Sequence, residues 1–84
     1  MKLSVKSLTV TMALFWGGTV FLVALINFLA PPYGEAFLDL VSSVYPGYKV
    51  VSSFGSVIVG TLYALVDGAV GGVLFAWMYN MFAD

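Results

Sequence analysis

Two long apolar runs frame the chain. Residues 8–30 carry no charged side chain, and residues 54–82 are interrupted by a single charge, Asp67. At about 1.5 Å of rise per residue, either run is long enough to cross the roughly 30 Å hydrocarbon layer of a bilayer. The pattern predicts two transmembrane helices. Pro31-Pro32 ends the first, because the ring disfavours a helical residue before it and supplies no backbone donor. A secretory signal is the rival reading of the first run, since Lys2 and Lys6 precede it. The run is longer than an ordinary signal core, however, and Phe28-Leu29-Ala30 lacks a small-x-small cleavage site.

Between the runs, Phe37, Leu40, Val41 and Val44 recur at i, i+3, i+4 and i+7, the spacing of one apolar helical face. Glu35 and Asp39 stand early in this segment, where carboxylates favour the helix dipole, and Pro46-Gly47 closes it. A short amphipathic helix over residues 34–45, lying on the membrane surface, is expected. Tyr33, Phe37, Tyr45 and Tyr48 suit the headgroup boundary, and equally suit a cover over the hairpin. The expected fold is an all-α membrane protein, a single antiparallel hairpin of two transmembrane helices with an interfacial helix in the connection. Its parts are a polar start at 1–7, helices at 8–30 and 54–82, and a connection at 31–53. The second run exceeds what a bilayer needs, so it should tilt or project, with Trp77, Tyr79 and Asn80 near the far boundary.

Composition narrows the function. With 62% hydrophobic and 8% charged residues, a chain of 84 residues has too few charges to clothe a soluble domain. There is no Cys and no His, which removes disulfides, Cys/His metal sites and an imidazole base. Neither a metal nor another cofactor is expected. Lys2, Lys6 and Lys49 are the only cations and the net charge is −1, so no basic patch exists for nucleic acid. Lys2, Lys6 and the terminal amine against Lys49 place both termini in the cytoplasm by the positive-inside rule. Glu35, Asp39 and Asp67 lie at different depths in a hairpin, which argues against a paired-carboxylate enzyme.

Small residues suggest how the helices pack. Ala13, Gly17, Val20, Ala24 and Asn27 form one seam, and Gly60, Ala64, Asp67, Gly71, Leu74 and Met78 form another. Centring the two apolar runs on each other makes the numbers of facing residues add to about 87. That sets Val20 opposite Asp67, Gly17 near Val70 and Asn27 opposite Gly60. A second pattern, Ser56, Gly60, Ala64, Gly68, Gly72, Ala76 and Asn80, places a small or short polar residue at every fourth position. Four residues turn through about 400°, so this ladder drifts about 40° per step and leaves the seam. Gly68, Gly72 and Ala76 are therefore expected to meet a further helix, in a second copy or a larger complex.

Asp67 stands near the middle of the second run, where a carboxylate is costly and has a purpose. No cation lies in either span, so a neutral hydrogen-bonding acid is expected, with Trp16 and Thr19 as partners and Thr61 and Tyr63 nearer the connection; proton or ion handling and pairing with a partner protein's cation are the alternatives.

These residues resemble a known family. The start Met1-Lys2-Leu3-Ser4-Val5-Lys6, the step Phe15-Trp16-Gly17-Gly18 and the connection from Phe37-Leu38-Asp39-Leu40 to Tyr45-Pro46-Gly47-Tyr48 all contribute. So do Val66-Asp67-Gly68-Ala69-Val70-Gly71-Gly72 and Phe75-Ala76-Trp77-Met78-Tyr79-Asn80. Together they look like a small two-helix bacterial membrane protein family of unknown function, some members of which are labelled bacteriophage holin. The resemblance spans nearly the whole chain and implies a multi-pass hairpin in the prokaryotic inner membrane.

The expected function is a structural or interaction subunit that self-associates or joins a larger membrane assembly through the Gly-rich second helix. One alternative is a holin-like or channel-forming oligomer, whose polar lining would come from Thr19, Asn27, Ser56, Thr61 and Asp67. Another is a proton-carrying hairpin subunit using Asp67. The expected partners are the lipid bilayer and either further copies or other subunits.

Overall fold

A computed structural model describes residues 2–49 and 53–83. The amino terminus at Met1, counted in the charge balance, and the end of the connection at Val50 to Ser52 lie outside the described residues. Three helices follow one another, α1 (Val5–Leu29), α2 (Glu35–Val44) and α3 (Phe54–Phe82), and the described residues contain no strand. α1 and α3 are each long and apolar enough to cross a membrane. They lie side by side in a body of 48 × 19 × 18 Å.

α1 begins three residues before the charge-free run, because Ser4 supplies a cap: its hydroxyl accepts from the Ser7 N–H at 3.2 Å. Ser53 caps α3 in the same way through the Ser56 N–H at 3.1 Å. After Pro31-Pro32 the Glu35 N–H donates to the Pro32 carbonyl at 3.1 Å. Gly34 turns the chain at φ 66°, a conformation that L side chains rarely adopt. The space is as tight as the torsion, since a Cβ on Gly34 would stand 2.5 Å from Val23 Cγ1. The carboxamide of buried Asn27 donates to the Tyr33 carbonyl at 2.8 Å and ties this turn to α1.

α2 consequently folds back onto the hairpin. It starts over Val23 and ends at Trp16 and Asp67, and it buries Leu38 (1% exposed) and Val41 against the rest of the chain. Glu35, Asp39 and Ser43 form an exposed stripe along its outer side. The core joins Val20, Ala24 and Ala64 of the long helices to Leu38, Val41, Tyr45 and Tyr48 of the connection. Edge-on aromatic pairs, Trp16 with Phe37 at 5.9 Å and Phe28 with Phe54 at 6.1 Å, close its sides.

The register of α1 on α3 differs from the expectation. Phe28 meets Phe54, a Cβ on Gly17 would run into Leu65, and one on Gly68 or Gly72 would approach Ala13 Cα or Thr9 Cα to 2.9 Å. Leu3 meets Asn80. These pairs add to 81 to 83 rather than 87, so Gly17 meets Leu65 instead of Val70, and neither Val20 with Asp67 nor Asn27 with Gly60 is level. The cause is that helix ends and glycine close approaches set the register, whereas the expectation centred two runs of unequal length.

The small-residue patterns are corrected too. α3 buries Val57, Gly60, Ala64, Gly68, Gly72 and Ala76, so the every-fourth ladder is consumed inside the chain. The drift of about 120° between Gly60 and Gly72 remains. Its upper part faces the connection, where a Cβ on Gly60 would stand 2.8 Å from Tyr48 Cε1, and its lower part faces the α1 backbone. Gly68, Gly72 and Ala76 thus do not present a surface to a further helix. A connection folded against the hairpin covers the face that two helices alone would leave open. Gly17, Val20, Ala24 and Asn27 of the α1 seam are buried and Ala13 is partly so. In the α3 seam Gly60 and Ala64 are buried, whereas Asp67, Gly71, Leu74 and Met78 are exposed.

Candidate functional site around Asp67

The chemistry-bearing residues converge where α2 ends. Tyr45 leaves the helix in an extended conformation, and Pro46-Gly47, with Gly47 at φ 86°, sends the chain back toward the start of α3. The Tyr48 N–H closes this reversal on the Tyr45 carbonyl at 3.2 Å. Tyr63 of α3 holds it from outside. Its hydroxyl donates to the Pro46 carbonyl, and its ring stacks on Tyr45 with centroids 5.1 Å apart and an interplanar angle of 13°.

So positioned, the Tyr45 ring is buried (5% exposed) and its hydroxyl lies between the two long helices' polar groups. Trp16 Nε1–H donates to the Tyr45 oxygen at 2.7 Å, and the Tyr45 hydroxyl donates to Asp67 Oδ2 at 2.7 Å. The direction of this relay is determined by its first member. An indole nitrogen only donates, so the phenol oxygen accepts there and its own proton is left for the carboxylate. Burial raises the Tyr45 pKa above its ordinary value, the Trp16 hydrogen bond pulls it back and Asp67 adds to the rise. The phenol therefore keeps its proton and remains a donor at neutral pH.

Asp67 itself is exposed, near the middle of α3. A groove of about 260 Å³ opens beside it, walled by Trp16, Phe37, Leu40, Val44 and Tyr45. On the other side of Tyr45 a second groove of about 310 Å³ is lined by Pro46, Tyr63, Val66 and Val70, with Asp67 again at its edge. Both are open and predominantly apolar. Among the described residues no cluster of three metal-ligating side chains occurs.

Of the two expected partners, Trp16 acts on Asp67 only through Tyr45. Thr19 does not take part, because its hydroxyl donates to the Phe15 carbonyl one turn back at 2.7 Å. The same local bonding engages Thr61 with the Val57 carbonyl, while Ser56 donates to the Lys49 carbonyl and Asn27 to Tyr33. Of the five residues counted toward a polar lining, Asp67 alone keeps a side chain without such a backbone bond. Tyr45 was expected at the headgroup boundary, and its role was missed. The sequence signal for it is the Pro46-Gly47 reversal directly after an aromatic with a hydroxyl, which brings that ring to the bottom of a folded-back helix.

A second polar contact joins the ends of the chain. The Asn80 carboxamide accepts from the Leu3 N–H at 2.7 Å and donates to the Leu3 carbonyl at 3.0 Å. Asn80 thereby anchors the start of α1. Compared with protein-family models, curated proteins and solved structures, the chain matches none of them.

Proposed function

We propose that this protein is a small integral membrane protein that serves as a structural and interaction subunit of a larger membrane assembly. α1 and α3 cross the bilayer of a prokaryotic inner membrane, with both termini in the cytoplasm. α2 lies against the outer half of the hairpin, its Glu35 end nearer the outer boundary and its Tyr45 end reaching the depth of Asp67. One observation carries the reading: Asp67 is exposed on the outer side of an otherwise uncharged 29-residue helix. A carboxylate facing hydrocarbon costs at least ~2.5–3.5 kcal/mol, and such residues face a bundle interior or a water-filled cavity, which for an outward-facing residue needs further chains. The surroundings agree, because Val66, Val70, Leu74 and Phe75 are all more than half exposed around it. The Gly-rich ladder expected to mediate assembly is buried within the chain, so the assembly surface is the Asp67 face instead.

Mild-detergent extraction of the native particle, followed by mass measurement, tests this reading. The expected result is a particle containing more than one chain, in which photocrosslinkers at Val70 and Leu74 react and one at Leu14 on α1 does not. A monodisperse single hairpin of 9.0 kDa would overturn it.

A further inference from the structure

We infer that the Asp67 face docks a transmembrane helix of a different chain that carries an arginine or lysine at the depth of Asp67. The inference rests on the subunit reading and names the partner's chemistry. It starts from the direction of the hydrogen bonds. Trp16 donates to Tyr45 and Tyr45 donates to Asp67 Oδ2, so the relay delivers a proton donor to the carboxylate and takes none from it. A carboxyl group that already accepts from a fixed phenol is oriented to meet a charged donor at its other oxygen. The other carboxylate oxygen receives no donor among the described residues, and Asp67 is open to the outside.

The surroundings suit a cation carried on a helix. The groove beside Asp67 accommodates the methylene stem of a long side chain, and Trp16 and Phe37 offer aromatic surface to its charge. One turn beyond Asp67 on the same outward side, Gly71 is exposed and has nothing within 4 Å of where its Cβ would be. A second backbone can come close there, which is how helices in lipid gain packing energy. Carboxylate, groove and open glycine share one face.

A second copy cannot supply the cation. The chain has no arginine, and its lysines are distant in depth from Asp67. The Lys49 carbonyl is held by Ser56, eleven residues before Asp67 and so about 16 Å along α3. Thr9 lies level with Gly72, which puts Lys6 about three residues further, near residue 75, or about 12 Å past Asp67 on the opposite side. Lys2 lies further still, next to Leu3 at the level of Asn80, so a copy, parallel or antiparallel, brings none of the three lysines to the carboxylate. A two-fold axis through this face would also set one Asp67 against another.

The probe is a leucine-rich transmembrane peptide of about 23 residues with Arg, Gln or Leu at its centre. The whole hairpin, acceptor-labelled at A83C, is reconstituted with donor-labelled peptide in phosphatidylcholine vesicles, and energy transfer reports association. The Arg peptide is expected to associate at least about tenfold more tightly than the Leu peptide, with the Gln peptide close to Leu. Asp67→Asn, which keeps an acceptor for Tyr45, should abolish the Arg preference. Gly71→Leu, whose first side-chain carbon has nothing within 4 Å in the hairpin, should weaken Arg-peptide binding while the charge remains. Equal association of Arg and Leu peptides would overturn the inference, as would a Gln peptide matching Arg or an Arg preference that survives Asp67→Asn. A native particle made of this chain alone would leave the subunit reading standing and remove the cationic partner.

Discussion

The Tyr45 hydroxyl donates to the Asp67 carboxylate across 2.7 Å, although the two residues stand 22 positions apart, one at the end of a folded-back connection and the other midway along α3. Because Trp16 of α1 donates to the same phenol, one side chain couples all three elements. Tyr45 thus ties the connection to both long helices.

Tyr45→Phe removes the hydroxyl and leaves both the Trp16 N–H and the Asp67 carboxylate without their partner. A loss of about 1–3 kcal/mol in folding free energy is expected in detergent micelles, accompanied by a shift in Trp16 emission. Wild-type stability together with wild-type emission would show that the relay contributes nothing.

Gly68→Leu and Gly72→Leu should destabilise the hairpin itself by at least ~1–3 kcal/mol, since the first new carbon already approaches the α1 backbone at Ala13 and Thr9 to 2.9 Å. Gly71→Leu should leave thermal stability unchanged in the isolated chain. If all three variants melted alike, the assignment of the ladder to the inside of the chain would fall.

Asn80→Ala deletes both hydrogen bonds to Leu3 while sparing the helices. Hydrogen exchange at the Leu3 amide should accelerate, with amides in the middle of α1 unaffected, at a cost of about 0.6–2 kcal/mol. Unchanged protection at Leu3 would mean that the carboxamide does not anchor the start of α1.

Topology is checked with single cysteines in a chain that has none of its own. An impermeant thiol reagent applied to intact cells should label S53C, at the outer end of α3, and spare S4C and A83C. Labelling of either terminal position from outside would reverse the orientation.

Much of the architecture is local physics and was legible in the residues. Uncharged runs of this length can satisfy their backbone only as helices in lipid, Pro31-Pro32 stops the first, and the i, i+3, i+4 and i+7 spacing of Phe37, Leu40, Val41 and Val44 marks α2. Asp67 stands out as a lone charge in an apolar helix, and Trp16 is readable as a polar group of the other helix near its depth.

Tertiary structure decided which face of each helix is inside. Periodicity shows that Gly60, Ala64, Gly68, Gly72 and Ala76 form one drifting row, but not what covers it. That depended on α2 folding back, a consequence of the left-handed turn at Gly34 and the close fit of its backbone on Val23. Once Tyr48 covers Gly60 and the α1 backbone covers Gly68 and Gly72, the row is closed and Asp67 with Gly71 is left outside. The relay is likewise non-local: Trp16, Tyr45 and Asp67 lie on three elements, and their meeting depends on a register of helix ends and glycine contacts that no repeat in the sequence encodes.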